Sequence, residues 1–174
     1  DIYDEIKNEE SIFQSCNLLA ELEERTQNID KARKCYEKCC KIAKSNNDNR
    51  SCASIKQKTG MLYQVEGESE LKKGNKDAAL ILFEKAKQSI EESLTIKKEL
   101  LDEPGQADSL ALIAQLNLFT GDLYQAEIYA NQARIIDEKI GSEAVTFDYY
   151  ILSEIEKEKG NNEKAREWKA KLQA

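Results

Sequence analysis

The sequence predicts an all-α fold in which antiparallel helix pairs stack into a solenoid, and three observations lead to it. The 174 residues include one Pro and seven Gly, are 34% charged and 40% hydrophobic, and are rich in Ala, Leu, Glu and Lys. That composition favours helix and supplies enough apolar surface to bury a core. No stretch sustains the period-2 alternation of a half-buried strand. Finally, one arrangement of apolar and small residues, clearest over 110–133, is laid down at four places in the chain.

Each element follows from that arrangement. Over 110–133, Leu110, Ile113 and Ala114 fall on one face of a helix and Gly121-Asp122 makes a turn. Ala126, Ala130 and Ala133 then line one face of a second helix, so the two can approach closely. The same register places Cys16, Leu19, Ala20, Asn28, Ala32, Tyr36 and Cys39 in a first pair. It places Tyr63, Glu66, Gly67, Gly74-Asn75, Ala79, Phe83 and Ala86 in a second, and Tyr149, Leu152, Ser153, Gly160-Asn161 and Ala165 in a fourth. Glu66 stands where Leu is expected, and Lys169 and Leu172 break the pattern near the end.

Helices are therefore expected over 4–26, 30–45, 51–73, 76–101, 106–120, 123–140, 143–159 and 162–172. The fourth continues through Ile90, Leu94 and Leu101 until Asp102-Glu103-Pro104-Gly105 breaks it, because Pro restricts its predecessor and Gly frees the turn. Ile136 and Ile140 extend the sixth to Gly141. Gly60, Gly67 and Gly74 read as a helix start, a close helix contact and a turn. The polar run 45–49 is too short to separate globules and reads as a loop. The pairs group as 11–46, 51–101, 106–141 and 143–174, and 1–174 reads as one repeat domain. Because the chain opens without Met, it is expected to be a segment of a larger protein.

The order of a Leu and a small residue, then Gly-Asp, then Ala, an aromatic and Ala resembles the tetratricopeptide repeat. The anchoring Ala32, Ala79, Ala126 and Ala165 stand 47, 47 and 39 residues apart, longer than the minimal repeat of about 34. The long helices resemble those of kinesin light chains, of bacterial signal-transduction ATPases and of proteins bearing caspase-like peptidase domains. The resemblance implies a right-handed superhelix of about four repeats, whose first helices line a concave surface that grips extended peptides or partner helices. Carried over residue by residue, that groove falls on Asn17, Glu21 and Glu24, then on Gln64, Glu68 and Leu71. It continues on Ala111, Gln115 and Leu118, and ends on Tyr150, Glu154 and Lys157. With four acids and one base, it is expected to favour a basic or neutral protein segment. Glu21 stands where chaperone-binding members carry the Asn of a carboxylate clamp, so an acidic C-terminal tail is not the expected ligand.

Charge and missing residue types narrow the function. Net charge is −7 with a pI near 4.9, which argues against general attraction to phosphate backbones. Residues 1–24 carry eight acids and one Lys, whereas 25–60 carry ten bases and three acids. An acidic first helix is thus expected beside a basic second one, in exposed pairs. A helical-repeat nucleic-acid-binding module is the alternative to a protein scaffold, but such readers keep an even period and a basic groove.

There is no His, hence no imidazole base, and no phosphate-binding glycine motif occurs. Carboxylate pairs such as Glu23-Glu24 and Glu91-Glu92 read as solvated helix faces. No catalytic residue, cofactor or metal is expected. Cysteines 16, 35, 39, 40 and 52 are odd in number, which fits reduced thiols in the cytoplasm better than a disulfide framework. Cys35 and Cys39 share a helix face that Cys16 could approach, but the spacing lacks a CxxC knuckle, and packing is the expected role. The sequon Asn49-Arg50-Ser51 matters only in a secreted protein.

Overall fold

The structure, a computed structural model, describes residues 2–173 and the side chains of 9–172. The expected domain ends at 1 and 174 lie outside the described residues. Eight α-helices follow one another: α1 (Ile2–Arg25), α2 (Ile29–Ser45), α3 (Asn49–Lys72), α4 (Lys76–Glu99), α5 (Glu103–Thr120), α6 (Leu123–Ile140), α7 (Val145–Glu158) and α8 (Asn162–Ala170), with a 3-10 turn at Lys171–Gln173. The described residues hold no strand. All eight expected helices are present, and their ends move by at most a few residues.

Every connection between successive helices uses the same turn. One residue adopts a left-handed backbone: Gln27, Asn47, Gly74, Leu101, Gly121, Gly141 and Gly160 in order, with φ between 53° and 84°. The next residue's N–H then donates to the carbonyl five positions back. These bonds run from Asn28 to Glu23, Asp48 to Ala43, Asn75 to Glu70, Asp102 to Lys97, Asp122 to Asn117, Ser142 to Asp137 and Asn161 to Glu156, at 2.8–3.0 Å. This is the Schellman closure, which satisfies carbonyls that a helix end leaves without partners.

Two glycines take roles that differ from the expected ones. Gly60 lies inside α3 rather than at its start, where a Cβ would come within 2.5 Å of Ile90 Cγ1 and 2.9 Å of the Ala86 carbonyl oxygen. Gly105 is not the breaker between α4 and α5. That break is at Leu101, and Asp102 caps α5 by accepting from the Gly105 N–H at 3.2 Å. Pro104 fits the first turn of α5, where its missing N–H has no intrahelical partner to lose. A Cβ at Gly105 would crowd the Asp102 carboxylate that caps the helix.

The chain divides into two compact units, 1–96 and 97–174. In the first, α2 packs on α1 and on α3. Ala20, Ala32, Tyr36, Cys39, Ile55 and Leu62 form a buried cluster, with Phe13, Cys16, Ile29, Cys35 and Cys40 packed against it. Gly67 admits the Phe83 ring, whose nearest atom lies 2.6 Å from where a Cβ would be. The Ser93 hydroxyl donates to the Ala53 carbonyl at 2.7 Å, fixing α4 to α3.

In the second unit α6 packs on α5 and α7, and α7 on α8. Its interior includes Ile113, Leu116, Ala126, Ala130, Ala133, Ile151, Leu152 and Ile155. Lys97 is buried and donates to Ser109 Oγ at 3.0 Å, and burial holds its ammonium below the usual lysine range. At the end of the array Trp168 stacks on Tyr149 with ring centroids 5.8 Å apart, and Lys171 and Arg134 lie over the indole at 4.6 and 5.7 Å. The aromatic thus comes one position before Lys169, the position the repeat register assigns to it.

Candidate functional site

In the first unit a cleft of about 570 Å³ opens between α1 and α3, lined by Glu24, Arg25, Gln27, Ile29, Leu62, Val65, Glu66, Glu68, Ser69 and Lys72. On α3, positions 65, 68, 69 and 72 recur at helical spacing and so share a face. Val65 is 51% exposed. Of the groove residues expected from sequence, Glu24 and Glu68 meet in this lining. Asn17, Glu21, Gln64 and Leu71 are not part of it.

The side chains of that region have definite partners. Glu24 Oε2 accepts from the buried Tyr36 hydroxyl at 3.0 Å. Glu68 Oε1 accepts from Gln64 Nε2 at 3.0 Å, and Gln64 itself is 8% exposed. Glu21 Oε1 accepts from Lys58 Nζ at 2.6 Å and from Asn17 Nδ2 at 3.1 Å. The Lys58 ammonium holds the Glu21 carboxyl below its usual range, and Lys58 also lies 5.6 Å from the centre of the Tyr36 ring. Glu66 is paired with Arg33 of α2, whose guanidinium lies 4.7 Å from the centre of the Tyr63 ring. The residue that departs from the repeat pattern therefore ties the first helix pair to the second.

In the second unit, Ala111 is 5% exposed and belongs to the interior, while Gln115 and Leu118 are half-buried. Tyr150 is 47% exposed and stacks with Phe147 at 6.4 Å. Glu154 pairs with Lys157 at 3.2 Å. Sequence reasoning missed the rest of the cleft lining, Val65, Ser69 and Lys72 among it, and Phe147 beside Tyr150.

Among the described residues no group of three or more His, Cys, Asp or Glu side chains could hold a metal ion. No described helix is long and apolar enough to cross a membrane.

Residues 13–46 match the tetratricopeptide repeat family. That segment covers α2 and most of α1, with Ala20, Ala32, Tyr36 and Cys39 in its core. No curated protein sequence matches the chain. Among solved structures the chain is similar to BtubC (BKLC) from P. vanneervenii, at 22% identity and a TM-score of 0.74 over 92% of this chain and 61% of that one. It is also similar to nearly identical TPR-like repeats of a putative kinesin light chain from Podosopora anserina, at 15% identity and a TM-score of 0.68 over 92% and 73% of the two chains. The apo form of RapI is similar at 14% identity, with a TM-score of 0.50 over 92% and 68%. The chain thus spans less than two thirds of the length of BtubC. At these identities the likeness speaks for the fold alone. The chain therefore carries a tetratricopeptide repeat at residues 13–46 and has, over nearly all its length, the all-α fold of solenoid arrays built from such repeats.

Proposed function

We propose that the chain is a protein-interaction scaffold rather than an enzyme, a sensor or regulatory segment of a larger cytoplasmic signalling protein. Its cleft holds an extended peptide or partner helix of basic or neutral character. The α1–α3 cleft carries this reading. Ile29 and Val65 supply apolar surface with the buried Leu62 behind them, and Glu24 and Glu68 line the same cleft. A half-exposed Val65 beside carboxylates is what a segment with one apolar anchor and flanking Lys or Arg residues would cover.

Internal partners decide which acids keep their field. Glu21 and Glu154 each face a lysine ammonium. Glu24 and Glu68 are bonded to a neutral hydroxyl and a neutral amide, so their negative charge remains available. Arg25 and Lys72 also line the cleft, which extends the reading to neutral segments.

Binding of fluorescent peptides of one length and graded charge, measured at two salt concentrations, tests this. Glu68→Lys should lower the association rate of basic peptides and flatten its salt dependence. Val65→Ala should speed dissociation, at a cost of about 1 to 2 kcal/mol. If neither change alters binding of any peptide that binds the wild type, the cleft is not the site.

A further inference from the structure

None of the five free cysteines lines the cleft, and two of them meet across a pair of helices. Cys40 on α2 and Cys52 on α3 bring their sulfurs to 3.7 Å, within reach of a thiol hydrogen bond. Cys52 is 4% exposed, whereas Cys40 is half-buried. Burial and the neighbouring Cys40 push the Cys52 thiol up, and the ammonium groups of Lys44 and Lys56 act against that rise.

The other three thiols are placed differently. Cys39 is fully buried, donates to the Phe13 carbonyl at 3.6 Å, and is pushed up to about 11 by burial. Burial also raises the Cys35 thiol. Cys16 packs with both against the core.

We propose that Cys40 and Cys52 form a reversible intramolecular disulfide when the protein meets a peroxide, joining the second helix of the first repeat to the first helix of the second. Cys40 Sγ, on the less buried of the two residues, attacks one peroxide oxygen. The O–O bond breaks, the sulfur is oxidised to a sulfenic acid, and the other oxygen leaves as water with one proton. Cys52 Sγ then attacks the Cys40 sulfur, the S–O bond breaks, and a second water leaves. Two thiols and one hydrogen peroxide give one disulfide and two waters. Bond formation needs the sulfurs about 2 Å apart, so the two must draw closer from a contact of 3.7 Å that already exists.

The test treats the purified chain with hydrogen peroxide, quenches it with catalase, and counts alkylatable thiols by intact mass. The wild type is expected to remain monomeric, lose two hydrogens in mass and keep three of its five thiols. Dithiothreitol should restore all of them. Because Cys39 and Cys40 are adjacent, variants make the assignment. Cys40→Ser should keep all four remaining thiols, Cys52→Ser should stop at the Cys40 sulfenic acid, one oxygen heavier and with three alkylatable thiols, and Cys39→Ser should still lose two. Circular dichroism checks folding, and the half-buried Cys40→Ser decides the matter if the buried Cys52→Ser unfolds. The proposal is overturned if the wild type keeps five thiols, if Cys40→Ser still loses a pair, if oxidation yields a cross-linked dimer, or if the wild type gains oxygen on a sulfur with no disulfide formed.

Discussion

Asp148 is fully buried on α7, with Asp137 of α6 beside its carboxyl. Burial pushes this carboxyl up to about 8, from an ordinary 3.8, and the nearby Asp137 adds to the rise while Arg134 opposes it. The folded state therefore keeps a proton that the unfolded chain gives up, so stability is greatest below about pH 4 for this group and is lost as pH climbs towards 8. Asp148→Asn removes the titration and keeps a donor that can reach Asp137. Urea unfolding at about pH 6 and about pH 9 should show a smaller loss of stability in the variant than in the wild type. Equal losses would show that Asp148 titrates normally.

A second residue-scale prediction concerns Gly67. Adding a methyl there gains helix propensity of up to about 1 kcal/mol, but it must displace the Phe83 ring from 2.6 Å, and such overpacking costs about 1 to 3 kcal/mol. Gly67→Ala should lower the denaturation midpoint, and an unchanged or raised midpoint would mean that Phe83 repacks freely. The sequence marked Gly67 as a close contact because a small residue there fits the repeat register. It gave no sign of the Asp148 burial, since nothing local distinguishes an inward Asp from the many outward acids.

At the scale of elements, helix starts differ in how they are capped. Asp48, Asp102 and Asp122 accept from the N–H three residues on, whereas the Asn28 side chain makes no such bond. Asp122→Ala should cost about 1 kcal/mol, and Asn28→Ala should stay within about 0.5 kcal/mol. Thermal melts of the two variants compare them directly, and equal shifts would contradict the capping assignment. The turns were legible wherever glycine supplied the left-handed residue, as at Gly121. They were less so at Gln27 and Leu101, where side chains accept a backbone that disfavours them because the same Schellman bonds close the helix. Leu101 is 83% exposed and packs on little. This is why the end of α4 was expected at the apolar 101 and the start of α5 after the glycine at 105, when Pro104 and Asp102 instead begin that helix.

At the scale of the whole molecule, the recurring small residues were enough to read an all-α repeat, because Ala32, Ala79 and Ala126 are fully buried where two helices meet. The groove was less legible. Sequence register could assign Glu24 and Glu68 to one surface, and they do line one cleft. It could not show that Lys58 answers Glu21 or that Ala111 is buried, because those facts depend on neighbours from other helices. Val65 was passed over because an apolar residue on a helix is normally read as core.

The claim that this chain grips a protein segment in the α1–α3 cleft is tested most directly by NMR of the labelled protein. The chain is titrated with a peptide selected against it from a random-sequence display library. The account predicts selected peptides with an apolar anchor and no net negative charge, and amide shifts that cluster at Glu24, Leu62, Val65 and Glu68. Val65→Asp should abolish the shifts without unfolding the protein. Shifts centred on the basic helix 31–44 with the cleft silent, or selected peptides that are uniformly acidic, would contradict it.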